Sequence, residues 1–118
     1  MSDPVAAFLY ARSLVPEDWT EQQICARAEQ VKQSIIALDQ SLNAVCSDTP
    51  EEEVQRVYYD AGKIHFSTEL RWWFRVLYQI MMSKDEGPRL GVWTIMVTPY
   101  WVQDRLRQAL EDPWRINS

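Results

Sequence analysis

The sequence predicts an all-α fold, a multihelical bundle closed as one domain over residues 1–118. Three observations carry this. Apolar residues recur at three- and four-residue steps along most of the chain, and strand-type alternation is nearly absent. Helix-start chemistry recurs at Asp3-Pro4, Thr20, Thr49-Pro50, Ser67 and Thr98-Pro99. With only 3 Gly and 6 Pro, long flexible linkers are excluded.

Asp3 and Pro4 supply an N-cap and a proline at the first helical position, with Val5, Phe8 and Leu9 as the apolar stripe. A helix is expected over 4–14, closed by Pro16. Thr20 and Gln23 form a capping box, and Glu21 suits the positive end of the helix dipole. The helix that follows is expected over 21–46. Its apolar positions Ile24, Ala28, Val31, Ile35, Leu38, Leu42 and Val45 alternate by four and three, a heptad seam. Thr49 as cap, Pro50 at the first position and Glu51, Glu52 and Glu53 in the first turn start a helix over 50–65. Its expected inward stripe is Val54, Val57, Tyr58, Ala61 and Ile64.

Ser67 is the expected cap of a helix over 68–83. Leu70, Trp73, Phe74, Leu77 and Met81 face inward, and Trp72, Val76 and Ile80 add a second apolar line. A helix this apolar is buried on most sides, so it is expected at the centre of the fold. A polar loop runs from Ser83 to Gly91. Val92 to Val97 has the pattern of either a buried strand or a buried helical turn. Within an all-α fold it is placed as a helix over 91–97. Thr98-Pro99 restarts a helix over 99–111, with Val102, Leu106 and Leu110 inward, and Asp112-Pro113 ends it. Trp114 to Ser118 are expected to fray.

The formal net charge is −5, unevenly spread. Residues 1–55 carry three basic and ten acidic side chains; residues 56–118 carry nine and seven. An acidic chain is a poor free-standing nucleic-acid binder, although its second half can still present a basic patch. Cys25 and Cys46, set on one helix, would lie about 30 Å apart, which excludes a bridge between them. Two free thiols point to a reducing compartment. No apolar run has the length of a membrane span and no basic leader precedes one, so a cytoplasmic location and no membrane partner are expected.

Several chemistries find no support. One His and two distant Cys give no zinc spacing, and no metal or other cofactor is expected. His65 stands near a helix end, as a capping or solvated residue. No pairing of a cysteine with His65 argues for a nucleophile, and the carboxylates sit where helix starts want them. Gly87 and Gly91 flank a proline and an arginine and do not form a phosphate loop. No catalytic residue is assigned.

An aromatic and basic cluster is more informative. Arg71-Trp72-Trp73-Phe74-Arg75 precedes Lys84 and Arg89. Unpaired RNA bases stack on aromatic rings and are held by arginines and polar groups. Trp73 and Phe74 read as core. Trp72 reads as core or as a stacking platform. Arg71 and Arg75, one turn apart, suit either surface pairing with carboxylates such as Glu69 or phosphate contact. Arg89, held between Pro88 and Leu90, suits either helix-end carbonyls or a phosphate.

The segment Ala61-Gly62-Lys63-Ile64-His65-Phe66, the helix Leu70 to Met82 and the stretch Gly87-Pro88-Arg89-Leu90-Gly91 together resemble the C-terminal end of class I lysyl-tRNA synthetases. In that family a helix of the type aromatic-x-x-Leu-Tyr leads through a short polar loop into Gly-Pro-Arg-x-Gly, then an apolar helix and a last helix rich in Arg and Leu. The resemblance covers about residues 56–111 and is sharpest over 61–91. It implies the helical anticodon-binding cage that class I lysyl- and glutamyl-tRNA synthetases carry behind their catalytic domains. Gly87, Arg89 and Gly91 match the family loop.

Two departures matter. Ser83 stands where the pattern has glycine, so the turn is strained or reshaped. The ATP-binding signature of a class I synthetase needs two histidines, and this chain has only His65. The expected function is therefore non-catalytic binding of a tRNA anticodon loop, with lysine tRNA as the suspected partner. The chain is then either a fragment of a lysine-tRNA ligase or a free-standing relative. Arg71, Trp72, Arg75, Lys84, Arg89, Tyr100, Trp101, Arg105 and Arg107 are the candidate RNA contacts. The alternative is a protein-interaction or homodimerisation domain that uses the seam of the helix over 21–46.

Overall fold

The computed structural model describes residues 2–113, and the expected fraying of 114–118 lies outside them. Six helices follow in order: α1 Pro4–Ala11, α2 Glu21–Leu42, α3 Glu51–Phe66, α4 Leu70–Met82, α5 Leu90–Val97 and α6 Pro99–Glu111. No strand occurs among the described residues, and the chain is an all-α multihelical bundle. None of these helices is long and apolar enough to cross a membrane.

α1 begins as expected. The Asp3 carboxylate accepts the amides of Val5 and Ala6 and reaches across to Lys32 Nζ at 2.7 Å. Burial alone would raise the Asp3 pKa, but the bonds from Lys32 and the two amides outweigh it and hold the carboxyl low. The helix ends at Ala11, not at 14. Ser13 turns left-handed (φ 57°), the Leu14 amide donates back to Leu9 O at 2.9 Å, and Ser13 N to Tyr10 O at 3.1 Å. This is a Schellman stop, with Leu14 folded onto the core beside Leu9. The signal is weak in sequence because serine stands where glycine is usual.

The capping box of α2 is present in full. Ile24, Ala28, Val31, Ile35, Leu38 and Leu42 are all buried, and α1, α3 and α6 pack against this helix within one chain. The seam read from the heptad is thus filled by the bundle itself. Regular helix ends at Leu42 rather than 46, where Ala44 and Val45 switch to tighter turns. Cys46 therefore lies beyond the helix, and both cysteines are free thiols.

Two expected caps are corrected. The Thr49 hydroxyl accepts from the Cys46 amide at 3.0 Å, turning back into the loop, and α3 starts from Pro50 without a side-chain cap. Ser67 sits at the C-terminal end of α3, and α4 starts after Glu69, again uncapped by a side chain. Ile64, expected inward, is exposed; Phe66 takes the core position at that end of α3.

The centre of the bundle is α3, not α4. α3 is the most extensively packed helix, seated against α5, α2 and α4, whereas α4 packs less extensively, on α3 and α6. Trp73 is fully buried, stacks on Phe66 at 5.7 Å and donates its indole N–H to Tyr58 O at 3.0 Å. It lies over Gly62, where any Cβ would collide with the indole ring. Truncating such a side chain to alanine costs about 3–5 kcal/mol. Ser83 closes α4 in the left-handed region (φ 57°), so the stop that glycine would make is made here by serine, under strain.

The segment 90–97 is a helix and not a strand. α5 docks on α3 through two side-chain bonds, with Leu90 buried at its start. Gly91 N donates to Gln55 Oε1 at 2.7 Å, and the Tyr58 hydroxyl meets Thr94 Oγ1. A Cβ at Gly91 would lie 2.9 Å from Glu51 O. Thr98 then caps α5 and starts α6 from one residue, and Gln103 bonds Asp39 O and Asn43 Oδ1 to fasten α6 to α2.

Gly91→Ala forces α5 away from the α3 backbone and costs about 2 kcal/mol, lowering Tm by roughly 8 °C in thermal denaturation. Gly87→Ala costs less, because its Cβ would meet the movable Met82 thioether. Burial pushes the Tyr58 phenol up to about 12, against the opposing bond to Thr94. The fold favours the neutral phenol, so this contribution is complete below the ordinary tyrosine value of 10.0 and is lost as pH rises toward 12. Ultraviolet titration is expected to show a late tyrosine step that Tyr58→Phe removes.

Candidate functional site: an aromatic and basic groove on α4

One face of α4 carries Arg71, Phe74, Arg75 and Tyr78, at the spacing that lines up along a helix. With Asp85 and Glu86 of the following loop they line an open groove of about 500 Å³. Tyr59 of α3 extends its aromatic surface, with its ring 4.8 Å from Phe74. Phe74, Arg75 and Tyr78 are half-buried and Arg71 is exposed.

The loop wall is held in place by named bonds. Asp85 Oδ1 accepts from Arg75 Nε and from Gln79 Nε2, each at 2.9 Å, and Arg12 Nη1 donates to Gln79 Oε1 at 2.8 Å. The Arg75 bond, then the Gln79 bond, keeps the Asp85 carboxyl below its usual value. The Tyr78 hydroxyl donates to Pro88 O at 2.8 Å. Burial raises the Tyr78 phenol, nearby Tyr59 adds to this, and Arg89 opposes it. The groove is therefore a preset shape with two arginines on its rim.

The sequence candidates divide sharply on this geometry. Arg71 and Arg75 line the groove, and exposed Lys84 directly precedes its acidic wall. Arg71 and Lys84 form no ion pair among the described residues, whereas Arg75 is paired with Asp85. Arg89 pairs with Glu51 at 3.0 Å and ties the loop to α3. Trp72 donates to Leu14 O at 2.6 Å and packs against Phe66 and the guanidinium of Arg27, so its indole faces the fold. Arg27 is enclosed by Trp19, Phe66 and Trp72 and pairs with Glu69, the carboxylate considered for Arg71.

The α6 candidates lie outside the groove lining. Arg107 pairs with Asp39 at 3.3 Å. Arg105 reaches Met81 O and stacks over Trp101, and its partial burial lowers its pKa. Trp101 meets Trp93 edge-on, while Tyr100 is open to solvent. Sequence reasoning missed Tyr59 and set Phe74 in the core. The signal for Phe74 was its place between Arg71, Arg75 and Tyr78 on one helical face; Tyr59 had none, because its role depends on how α3 meets α4. His65 bonds Gln33 of α2 at 2.5 Å. Among the described residues no cluster of His, Cys, Asp and Glu has the makings of a metal site.

Comparison with known proteins adds one relationship. No protein-family profile and no solved structure matches the chain. It is 42% identical over 50 residues to the lysine-tRNA ligase of Rickettsia prowazekii (strain Madrid E), covering 42% of this chain and 10% of that one. It is 39% identical over 62 residues to the lysine-tRNA ligase of Rickettsia typhi (strain ATCC VR-144 / Wilmington), covering 51% and 12%. The chain thus spans about a tenth of the length of the curated relatives it matches. These likenesses relate part of this helical bundle to a region of lysyl-tRNA synthetase.

Proposed function

We propose that the chain is a non-catalytic tRNA-binding module akin to the C-terminal anticodon-binding part of class I lysyl-tRNA synthetases, acting in the cytoplasm. The observation that carries the proposal is the groove of α4, which combines stacking rings and uncommitted cations in a chain related in part to lysine-tRNA ligases. An unpaired base of the lysine tRNA anticodon loop stacks on Phe74 and Tyr78. Arg71 and Lys84 neutralise the flanking phosphates. Arg75 positions the loop wall through Asp85 and reaches Ser13 O with Nη2, which leaves Nη1 for the RNA. Arg89, Trp72 and Arg107 hold the framework. Aminoacylation is left to other polypeptide, since this chain's single histidine, His65, cannot supply the two that the ATP-binding signature of a class I synthetase needs.

The acidic balance of the chain sets the strength of this contact. With a formal charge of −5, general phosphate attraction is weak, and affinity rests on the few groove contacts. Fluorescence polarisation with a labelled lysine tRNA anticodon stem-loop tests the proposal. Binding is expected at low salt and to weaken as salt rises. Arg71→Gln and Lys84→Gln should each reduce the log–log salt slope by about 0.7. Phe74→Leu keeps apolar volume but removes the ring face, and should weaken binding by about 1 kcal/mol or more, with the slope unchanged. No binding of the unmodified chain above background at low salt would overturn the proposal.

Asp85 supplies an independent check. Asp85→Asn removes a negative charge and releases Arg75 from its ion pair. Affinity for the stem-loop is expected to rise about threefold or more, as one more cation becomes available to phosphate. In the unmodified chain the Asp85 carboxyl should titrate by NMR below its ordinary value of 3.8. Its ion pair contributes above that value and is lost as pH falls through the lowered midpoint.

A further inference from the structure

From Leu90 through Gln103 the sequence contains no charged side chain. The structure leaves part of this stretch uncovered. Val92 is 39%, Ile95 55%, Met96 70% and Tyr100 73% exposed. The spacing of three and one residues places Val92, Ile95 and Met96 along one side of α5, and Tyr100 follows in the first turn of α6, just past the Thr98 corner. Beside them lies a cleft of about 200 Å³ lined by Val45, Cys46, Thr94, Ile95 and Pro99, mostly apolar and wide enough for one large side chain. A solitary exposed leucine needs no explanation, but several exposed apolar side chains beside an open apolar cleft mark a contact surface.

We infer that this face pairs two copies of the chain. The stripe offers about 500 Å² per copy, so a symmetric pair buries roughly 1,000 Å², the lower bound for a specific protein interface. α5 and the first turn of α6 carry no charge, so a two-fold contact through these helices sets none of their side chains against a like charge, although each copy carries −5. A knob and a hole lie side by side: Met96 or Tyr100 of one copy enters the cleft between the α2–α3 loop and α5 of the other. The alternative seam on α2 is already buried within one chain, and among the described residues α5 is the helix with the most exposed large apolar side chains. The pairing is independent of tRNA, and its failure would not bear on the groove of α4.

Sedimentation velocity of the full chain without nucleic acid, over about 5–200 µM, tests this, since an interface at the small end of the specific range suits a weak, reversible dimer. A monomer–dimer equilibrium is expected. Ile95→Glu and Met96→Glu should each weaken it at least about tenfold with helicity unchanged, since a buried charge on either copy is left unpaired. Ile36→Glu, on the exposed side of α2, should leave it unaltered. The unmodified chain provides a second readout: Cys46 lies at the cleft, so its alkylation by iodoacetamide should slow as protein concentration rises. A monomer across the range, a dimer indifferent to both α5 variants, a dimer lost in Ile36→Glu, or alkylation of Cys46 independent of concentration would each overturn the inference.

Discussion

The seating of Trp73 over Gly62 is the constraint on which the rest of the bundle depends. An indole is the largest side chain a core can hold, and it fits here only because α3 presents bare backbone at that position. Once seated, its N–H reaches the Tyr58 carbonyl and its ring stacks on Phe66, so one residue of α4 engages three of α3. Tyr58 in turn meets Thr94 and fixes α5. The position of α4, and with it the orientation of Arg71, Phe74, Arg75 and Tyr78, is inherited from this contact.

The Gly-Pro-Arg-x-Gly stretch is best understood as a helix-docking device. Gly87 lets the loop lie against Tyr78 and Met82, and the Pro88 carbonyl receives the Tyr78 hydroxyl. Arg89 pairs with Glu51, Leu90 fills the core, and Gly91 brings α5 onto the α3 backbone. Every position of the stretch has a structural task, which is sufficient reason for its composition without contact to RNA. The three glutamates at the start of α3 read in sequence as dipole partners. One of them, Glu51, is also the anchor for Arg89.

Much of the fold was legible because its signals are local. The capping box at Thr20, the prolines at 4 and 99 and the three-four spacing of α2 each act over a single turn or along a single helix. What escaped was decided at a distance. Thr49 found a better partner in the Cys46 amide than at the start of α3, and Ile64 lost its core place to Phe66 where α3 meets α4. Ser13 and Ser83 adopt conformations that local preference disfavours; at Ser13 the turn is what brings Leu14 back onto the core. The groove was half legible. Its arginines stand out by type, but Phe74 reads as core because aromatic residues usually belong there, and Tyr59 joins it only through the way α3 meets α4.

Thr98 joins α5 to α6 with a single residue, at φ 81° and ψ 148°, a conformation few side chains tolerate. Its amide closes the first helix on Thr94 O while its hydroxyl opens the second at the Trp101 amide. A corner with no spare link does not act as a hinge. Whatever meets the outer surface of α5 encounters it at an angle set when the chain folds, and any swing of that helix would have to break both caps at once.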